Sequence, residues 1–440
     1  MKSSLTLLIA LIVATSATVA AERPNIIFIM VDDVGRDWVS CYGAKHQTPN
    51  IDRLAEQGVR YDTAWGTPDG TPSRVTLLTG QYPFRHGWTQ HYDVPRRGGG
   101  GLSWAKFTTF ARVLRDAGYS TVIGGKWQIN NLRNQPEALK HHGFDEHCVW
   151  PGAEAGHPET EERFWNGHLI TNGQRSTAKY GPDTINAFLI DFVKRQKRKP
   201  FLVYYPMLLT HEPHTATPLN HASPPESKKA LYAGNVTYMD RLVGKLIQAV
   251  DDAGLRKNTI IVFTGDNGSA LPGVLNNDPY PKGKGQKTDS GVHVPFVVRA
   301  PFLTDGGRVS RDLIDFTDLY PTFLELAKAT PPDGLKLDGK SFVPSLRGNE
   351  DPFEKRSWIY SQLGEFRMVR DWHHILDSEG NFHDLNKDPR QEREVSPLDK
   401  IAPGRRQRLQ MILDRFPKNT TPPFLELKDK HQPNALSGNP

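Results

Sequence analysis

Residues Asn25–Val31 form an apolar run that begins after Pro24 and stops on two aspartates, Asp32 and Asp33. A strand with no polar alternation is covered on both faces, as in a parallel sheet. Helical spacing over 48–58, with Pro49 near its start and Gly58 at its end, predicts a helix. The same spacing predicts helices over 107–117, 182–198 and 228–253, followed by strands at 120–123, 201–205 and 259–263. Alternation of this kind predicts the α/β class, a large, mostly parallel sheet sandwiched by helices. The pattern then changes. Short strand-like pieces at 357–360, 367–369, 373–376 and 381–384 predict a small C-terminal antiparallel sheet subdomain. The expected organisation is a leader over 1–21, a main domain over 22–350, a smaller one over 351–421 and a polar tail over 422–440.

The leader reading rests on Lys2, an apolar stretch from Leu5 to Val13, and small residues ending near Ala20 or Ala21. This is the pattern of a secretory signal peptide, so export to a periplasmic or extracellular space is expected. No later apolar run is long enough to span a membrane. Composition changes the picture little: 37% hydrophobic and 24% charged residues exclude a disordered chain and a membrane bundle. The net charge of +6 comes without a polybasic run or basic-aromatic interleaving, so nucleic acid is not an expected partner. A modest positive excess suits an anionic ligand.

Two acidic pairs stand just past predicted buried strands: Asp32-Asp33, and Asp266-Asn267 after the strand at 259–263. The carboxyl ends of strands in an open α/β sheet form its ligand crevice. Oxygen-bearing side chains converging there suit a hard divalent cation, calcium or magnesium, more than zinc. Farther on, Gly70-Thr71-Pro72-Ser73-Arg74 opens a short helix that ends at Gly80, with Thr71 as its expected N-cap and Pro72 at its first position. Free N–H groups in that turn, with Arg74 beside them, make a place for an anion.

The stretch from Gly70 to Gly80 resembles the signature of the sulfatase family, of the alkaline-phosphatase-like superfamily: Cys/Ser-x-Pro-Ser-Arg-x-x-x-Leu-Thr-Gly. The similarity runs along nearly the whole chain after the leader. Pro24-Asn25-Ile26-Ile27 leading to Asp32-Asp33-Val34-Gly35 resembles the family's opening strand and first metal pair, and 48–55 its first helix. Gly125-Lys126-Trp127 is similar to its Gly-Lys-Trp-His element, His211-Glu212-Pro213 to its His-x-Pro, and Asp266-Asn267-Gly268 to its second metal pair. Lys284-Gly285 with Val294-Pro295-Phe296, and the later stretch 382–389, complete the match. The resemblance implies an alkaline-phosphatase-like fold and a calcium ion, or magnesium, held by Asp32, Asp33, Asp266 and Asn267. It also implies that Arg74, Lys126, His211 and Lys284 bind the sulfate, with His211 or Lys284 near the leaving oxygen. A cation, two lysines and an arginine offset the charge that builds as the S–O bond breaks. The implied substrate is a small-molecule or carbohydrate sulfate ester.

Two positions depart from the family. Its Cys or Ser is oxidised to formylglycine, whose hydrate attacks sulfur; here that position is Gly70, which has no Cβ to oxidise, so no formylglycine is expected. The histidine of Gly-Lys-Trp-His is Gln128, which forms hydrogen bonds but does not titrate. Three explanations follow. Metal-bound water replaces the formylglycine hydrate, the reading favoured by the sequence; or Asp69 or Thr71 acts as nucleophile; or the protein is a catalytically silent binder of sulfated or phosphorylated ligands. Hydrolysis of phosphate or phosphonate esters is a further alternative on the same scaffold.

Two stretches outside these motifs are expected to shape substrate choice. Residues 86–101, with His91, Arg96, Arg97 and four glycines at 98–101, read as a mobile loop. Residues 150–179 read as a long loop whose Trp165 and His168 are candidates to meet a sugar ring. Asn235 and Asn419 begin glycosylation sequons. Cys41 and Cys148 either form one bridge or serve as small buried residues, and neither stands at the formylglycine position.

Overall fold

The computed structural model describes residues 23–97, 100–196, 199–349, 351, 355–395 and 402–417. The expected leader, Gly98 and Gly99 of the glycine run, the Asn419 sequon and the tail from 422 lie outside the described residues.

Sixteen strands appear among the described residues: β1 Asn25–Val31, β2 Val59–Trp65, β3 Ser120–Lys126, β4 Glu146–Trp150, β5 Trp165–Thr171, β6 Gln174–Tyr180, β7 Phe201–Met207 and β8 Thr259–Gly265, followed by β9 Gly273–Leu275, β10 Asp278–Tyr280, β11 Phe296–Arg299, β12 Arg308–Asp315, β13 Ile359–Leu363, β14 Phe366–Arg370, β15 His374–Asp377 and β16 Phe382–Asp384. Ten of them make the central sheet, in the order β12-β2-β11-β8-β1-β7-β3-β4-β5-β6. The middle, β8-β1-β7-β3-β4, is parallel throughout. β11 runs antiparallel between β8 and β2, and β5-β6 is an antiparallel hairpin at the far edge. The sheet is therefore mostly parallel, as the alternation predicts.

Every residue of β1 is buried. Ile26, Phe28 and Met30 pack toward the helices Phe110–Asp116 and Leu319–Ala327, while Ile27, Ile29 and Val31 pack toward Gly181–Arg195 and Lys228–Asp252. At about 1.5–3 kcal/mol per fully buried large apolar side chain, this strand anchors both layers. The helix expected over 107–117 starts three residues late, at Phe110, because Thr109 caps it by accepting from Arg112 N at 3.2 Å. The strand expected to stop at Ile123 runs on to Lys126. Gly125 permits this: its φ is +134°, and a Cβ there would strike the Pro206 carbonyl of β7. Close strand approach carries Lys126 to the end of the sheet.

The four C-terminal strands form the antiparallel order β13-β14-β15-β16. Their side chains alternate: Ile359, Met368 and Ile375 face Trp65, Val292 and Leu313 of the main domain, while Tyr360, Val369 and Leu376 face Leu409, Ile412 and Leu413 of the helix Ala402–Leu413.

Three expectations are corrected. Residues 150–179 are not one long loop, because the second half of them forms the β5-β6 hairpin. Trp165 there donates from Nε1 to Ala216 O at 2.7 Å and stacks on His221, and His168 Nε2 lies 3.2 Å from Arg175 Nη1, so packing uses both side chains. Residues 86–97 are not an open loop either: Trp88 and Val94 are buried in the core, and 94–97 form a helical turn. Asn235 is buried in the Lys228–Asp252 helix and donates to Thr215 O at 2.8 Å, which leaves its sequon inaccessible. Cys41 and Cys148 are free thiols.

Candidate active site

Strand ends supply most of the site. Asp32 and Asp33 follow β1, Lys126 ends β3, His211 follows β7, and Asp266 and Asn267 follow β8. The loop after β2 delivers the helix Gly70–Thr79 with Arg74 in its first turns. Parallel strands place all of these at one edge of the sheet.

Asp32, Asp33, Asp266 and Asn267 are at most 1% exposed. Asp33 adopts φ +59°, a left-handed conformation uncommon outside glycine. It is held there by its N–H donating to Asp266 Oδ1 at 2.9 Å and by its carbonyl accepting from Tyr232 Oη at 2.6 Å and Ala270 N at 3.1 Å. Lys126 Nζ donates to Asp32 Oδ2 at 2.7 Å, and Lys284 Nζ to Asp33 Oδ2 at 2.7 Å. Arg74 Nη2 donates to Asp266 Oδ2 at 2.8 Å and stands 3.4 Å from Asp32 Oδ2. Three cations thus interleave with three carboxylates, with Arg74 and Lys126 buried and Lys284 partly exposed.

Burial works against the charge of Asp32, but Lys126 and then Arg74 outweigh it and hold the carboxyl well below the usual range. Burial, reinforced by Asp32 close by, pushes Asp266 well above that range despite Arg74. Burial opposes the charge of Lys284 as well, yet Asp33 and Asp32 keep the ammonium above its ordinary value. His211 is pushed down to about 4 by burial and then by Lys126, so its ring is neutral at neutral pH.

These residues fit a divalent cation. Asn267 Oδ1 is a buried oxygen with no hydrogen-bond partner. Donor atoms of Asp32, Asp33 and His211 lie within 4.8 Å of one another. The sequence keeps histidine apart from the acidic pairs, and the fold brings His211 among them. Buried oxygens crowded in this way, one of them an orphan, suit a hard divalent cation. Arg74 Nε and Nη1 are also buried without partners, two donors left for an anion.

Gly70 begins the helix, and the packing around it leaves no room for a side chain. A Cβ there would come far inside van der Waals contact of Asp266 Oδ2 and to 3.3 Å from Asn267 Oδ1. The Asp266 carboxylate occupies the space a side chain would need. Gly70→Ala is accordingly expected to push Asp266 off Arg74 and cost about 1–3 kcal/mol, read by thermal unfolding; an unchanged midpoint would contradict this contact. Gln128 donates from Nε2 toward Asp93 Oδ1 at 3.5 Å, while its Oε1 is buried without a partner.

The helix start departs from its sequence reading. Asp69, not Thr71, is the N-cap: its Oδ1 accepts from Thr71 N at 3.4 Å. Asp69 precedes the helix with an acceptor already in reach, which frees the Thr71 hydroxyl for His91 Nδ1 at 2.7 Å. The sequence also gave no role to Arg163, whose Nη1 lies 3.0 Å from His211 Nδ1 and whose guanidinium covers the Trp150 ring at 4.4 Å. Nothing in its local sequence marks Arg163, which lies just before β5 in a polar stretch without an apolar run.

The model of the sulfatase family matches residues 24–329. Among curated proteins, the chain is 30% identical over 365 residues to N-acetylgalactosamine-6-sulfatase of Canis lupus familiaris, covering 75% of this chain and 67% of that protein. It is 28% identical over 439 residues to steryl-sulfatase of Mus musculus, covering 80% and 70%. Among solved structures, Ps i-CgsB is 25% identical with a TM-score of 0.78, covering 92% of this chain and 95% of that one, and it has also been solved in complex with k-i-k-neocarrahexaose.

Proposed function

The chain belongs to the sulfatase family, and from that premise we propose that it is an exported, calcium-dependent hydrolase of carbohydrate sulfate esters that works without formylglycine. The observation that carries the reading is the set of buried Arg74 and Lys126 and half-buried Lys284, interleaved with Asp32, Asp33 and Asp266, near a Gly70 that has no side chain. A carbohydrate is favoured by what two relatives are named for or bound to: an N-acetylgalactosamine sulfate and a neocarrahexaose. Export rests on the signal pattern of residues 1–21, and among the described residues no helix is long and apolar enough to cross a membrane.

Asp32, Asp33, Asp266 and Asn267 would hold the cation, which when bound withdraws charge from the sulfate oxygens. Lys126 and Lys284 turn their ammonium groups to the remaining oxygens, and the two unpartnered Arg74 nitrogens supply further donors. Near the leaving oxygen, Lys284 keeps its proton and offsets the charge that develops, while neutral His211 offers a hydrogen bond. Gly70 has no atom to carry a hydrate, so the attacking oxygen comes from another source.

The test is turnover of an aryl sulfate, sulfated galactan oligosaccharides, a phosphate monoester and a phosphate diester, each with calcium and with chelator. Sulfate-ester cleavage that chelation removes is the expected result. Phosphate esters cleaved in preference would overturn the substrate class, and binding of sulfated ligands with no turnover of any probe would make the protein a silent binder.

A further inference from the structure

Beside Gly70 stands a group of side chains that the family match does not use. Thr71 Oγ1 and His91 Nδ1 are 2.7 Å apart, and the other ring nitrogen, Nε2, lies 4.0 Å from Asp93 Oδ1. Asp93 has φ +44°, a left-handed conformation held by its own contacts: Arg96 Nε donates to Oδ2 at 2.9 Å and Gln128 Nε2 points to Oδ1 at 3.5 Å. Gln128, which replaces the family histidine, therefore faces the same carboxylate as His91. An imidazole absent from position 128 is present nearby on a different segment.

Hydroxyl, imidazole and carboxylate in this order are the arrangement that activates an oxygen nucleophile. We propose that Thr71 is the nucleophile of this enzyme, that His91 is its base, and that Asp93 positions the ring. The proposal rests on the sulfate-ester reading above. Two further observations support it. The Asp69 cap leaves the Thr71 hydroxyl free of the helix start. His91 stands among Asp69 and Asp93, which favour its charged form, and Lys126 and Lys284, which oppose it; burial is the largest influence and lowers its pKa, so the ring is unprotonated and able to accept at neutral pH.

The reaction balances in two steps. In the first, Thr71 Oγ1 bonds to sulfur, its proton passes to His91 Nδ1, and the bond from sulfur to the ester oxygen breaks, its electron pair leaving on that oxygen. The leaving oxygen takes a proton from solvent water to become an alcohol, His91 releases the Thr71 proton to solvent, and Thr71 carries a sulfo group. In the second, a water oxygen bonds to sulfur as one water proton passes to the unprotonated His91, the S–O bond to Thr71 breaks with its electron pair on Oγ1, and His91 hands that proton to Oγ1, restoring the hydroxyl and releasing sulfate.

The experiment uses the full-length enzyme and a sulfate ester that the unaltered protein cleaves. Thr71→Val, which keeps shape and removes the hydroxyl, is expected to lower kcat at least about 100-fold, as is His91→Gln. Thr71→Ser is expected to retain measurable turnover. Acid-quenched wild type should carry one sulfo group on the peptide containing Thr71. Asp93→Asn should move the acid limb of the pH–rate profile to lower pH, because a carboxylate favouring imidazolium has been removed; a purely structural role would leave that limb in place. Unfolding midpoints near wild type separate these effects from misfolding. Thr71→Val with wild-type kcat would overturn the proposal and leave the sulfate-ester reading standing, whereas an unaltered enzyme that cleaves no sulfate ester removes both.

Discussion

Asp266→Ala is expected to abolish both turnover and the stabilisation that calcium gives the folded protein. Asp266 follows β8 and is fully buried, accepting from Asp33 N and from Arg74. Its carboxyl is pushed above its ordinary range by burial and by Asp32, a cost that a bound cation relieves. A ligand present at about a thousand times its Kd stabilises a protein by about 4 kcal/mol. Thermal unfolding of the wild type in calcium and in chelator should show a clear difference, and the variant should show almost none. Loss of one buried electrostatic partner at a reacting centre is expected to lower kcat by about 100- to 1,000-fold. An Asp266→Ala protein with an undiminished calcium-dependent shift would mean that the cation is held elsewhere.

The second large effect concerns stability. Arg356 joins the C-terminal sheet to the main domain: Nε donates to Asp318 Oδ1 at 2.7 Å, Nη2 to Thr317 Oγ1 at 2.9 Å, and Nη1 to Tyr82 Oη at 3.3 Å. Tyr82 Oη in turn donates to Asp315 Oδ2 at 2.6 Å. Removing one partner of a buried ion pair strands the other, at a cost of about 3–5 kcal/mol. Arg356→Met should lower the free energy of unfolding by that much, read from urea titration. Asp318 is pushed up to about 6 by burial, against the pull of Arg356, from an ordinary 3.8. A folded-state value above the unfolded one makes stability fall as pH rises through that window. Without Arg356 the Asp318 carboxyl rises further, so the deficit of Arg356→Met should be larger near pH 8 than near pH 5. A deficit that does not change with pH would rule out an uncompensated Asp318.

Much of this molecule is legible along the chain because its signals are local. The apolar run of β1 becomes a strand with the expected bounds, and its helical neighbours appear within a few residues of their expected ends. The acidic pairs stand at strand ends, as spacing places them. Errors cluster where a side chain has two uses. Thr71 resembles an N-cap as much as a hydroxyl bonded to His91, and only the reach of Asp69 decides between them. Residues 150–179 resemble a loop, since a polar edge hairpin such as β6 lacks the apolar run that marks a central strand.

The sequence alone determined that an α/β sheet carries two acidic pairs, an arginine, two lysines and a histidine in sulfatase order, and that Gly70 offers no Cβ. Backbone preference, apolar periodicity and the absence of a Cβ are properties of single positions and short windows. Tertiary structure decided what fills the vacancy. The Asp266 carboxylate lies against Gly70, and His91 meets Thr71 from twenty residues farther along the chain. It also decided that Lys126, Lys284 and Arg74 are neutralised by the carboxylates around them. Those distances depend on the order of strands in the sheet, and charge in a buried cluster depends on distance.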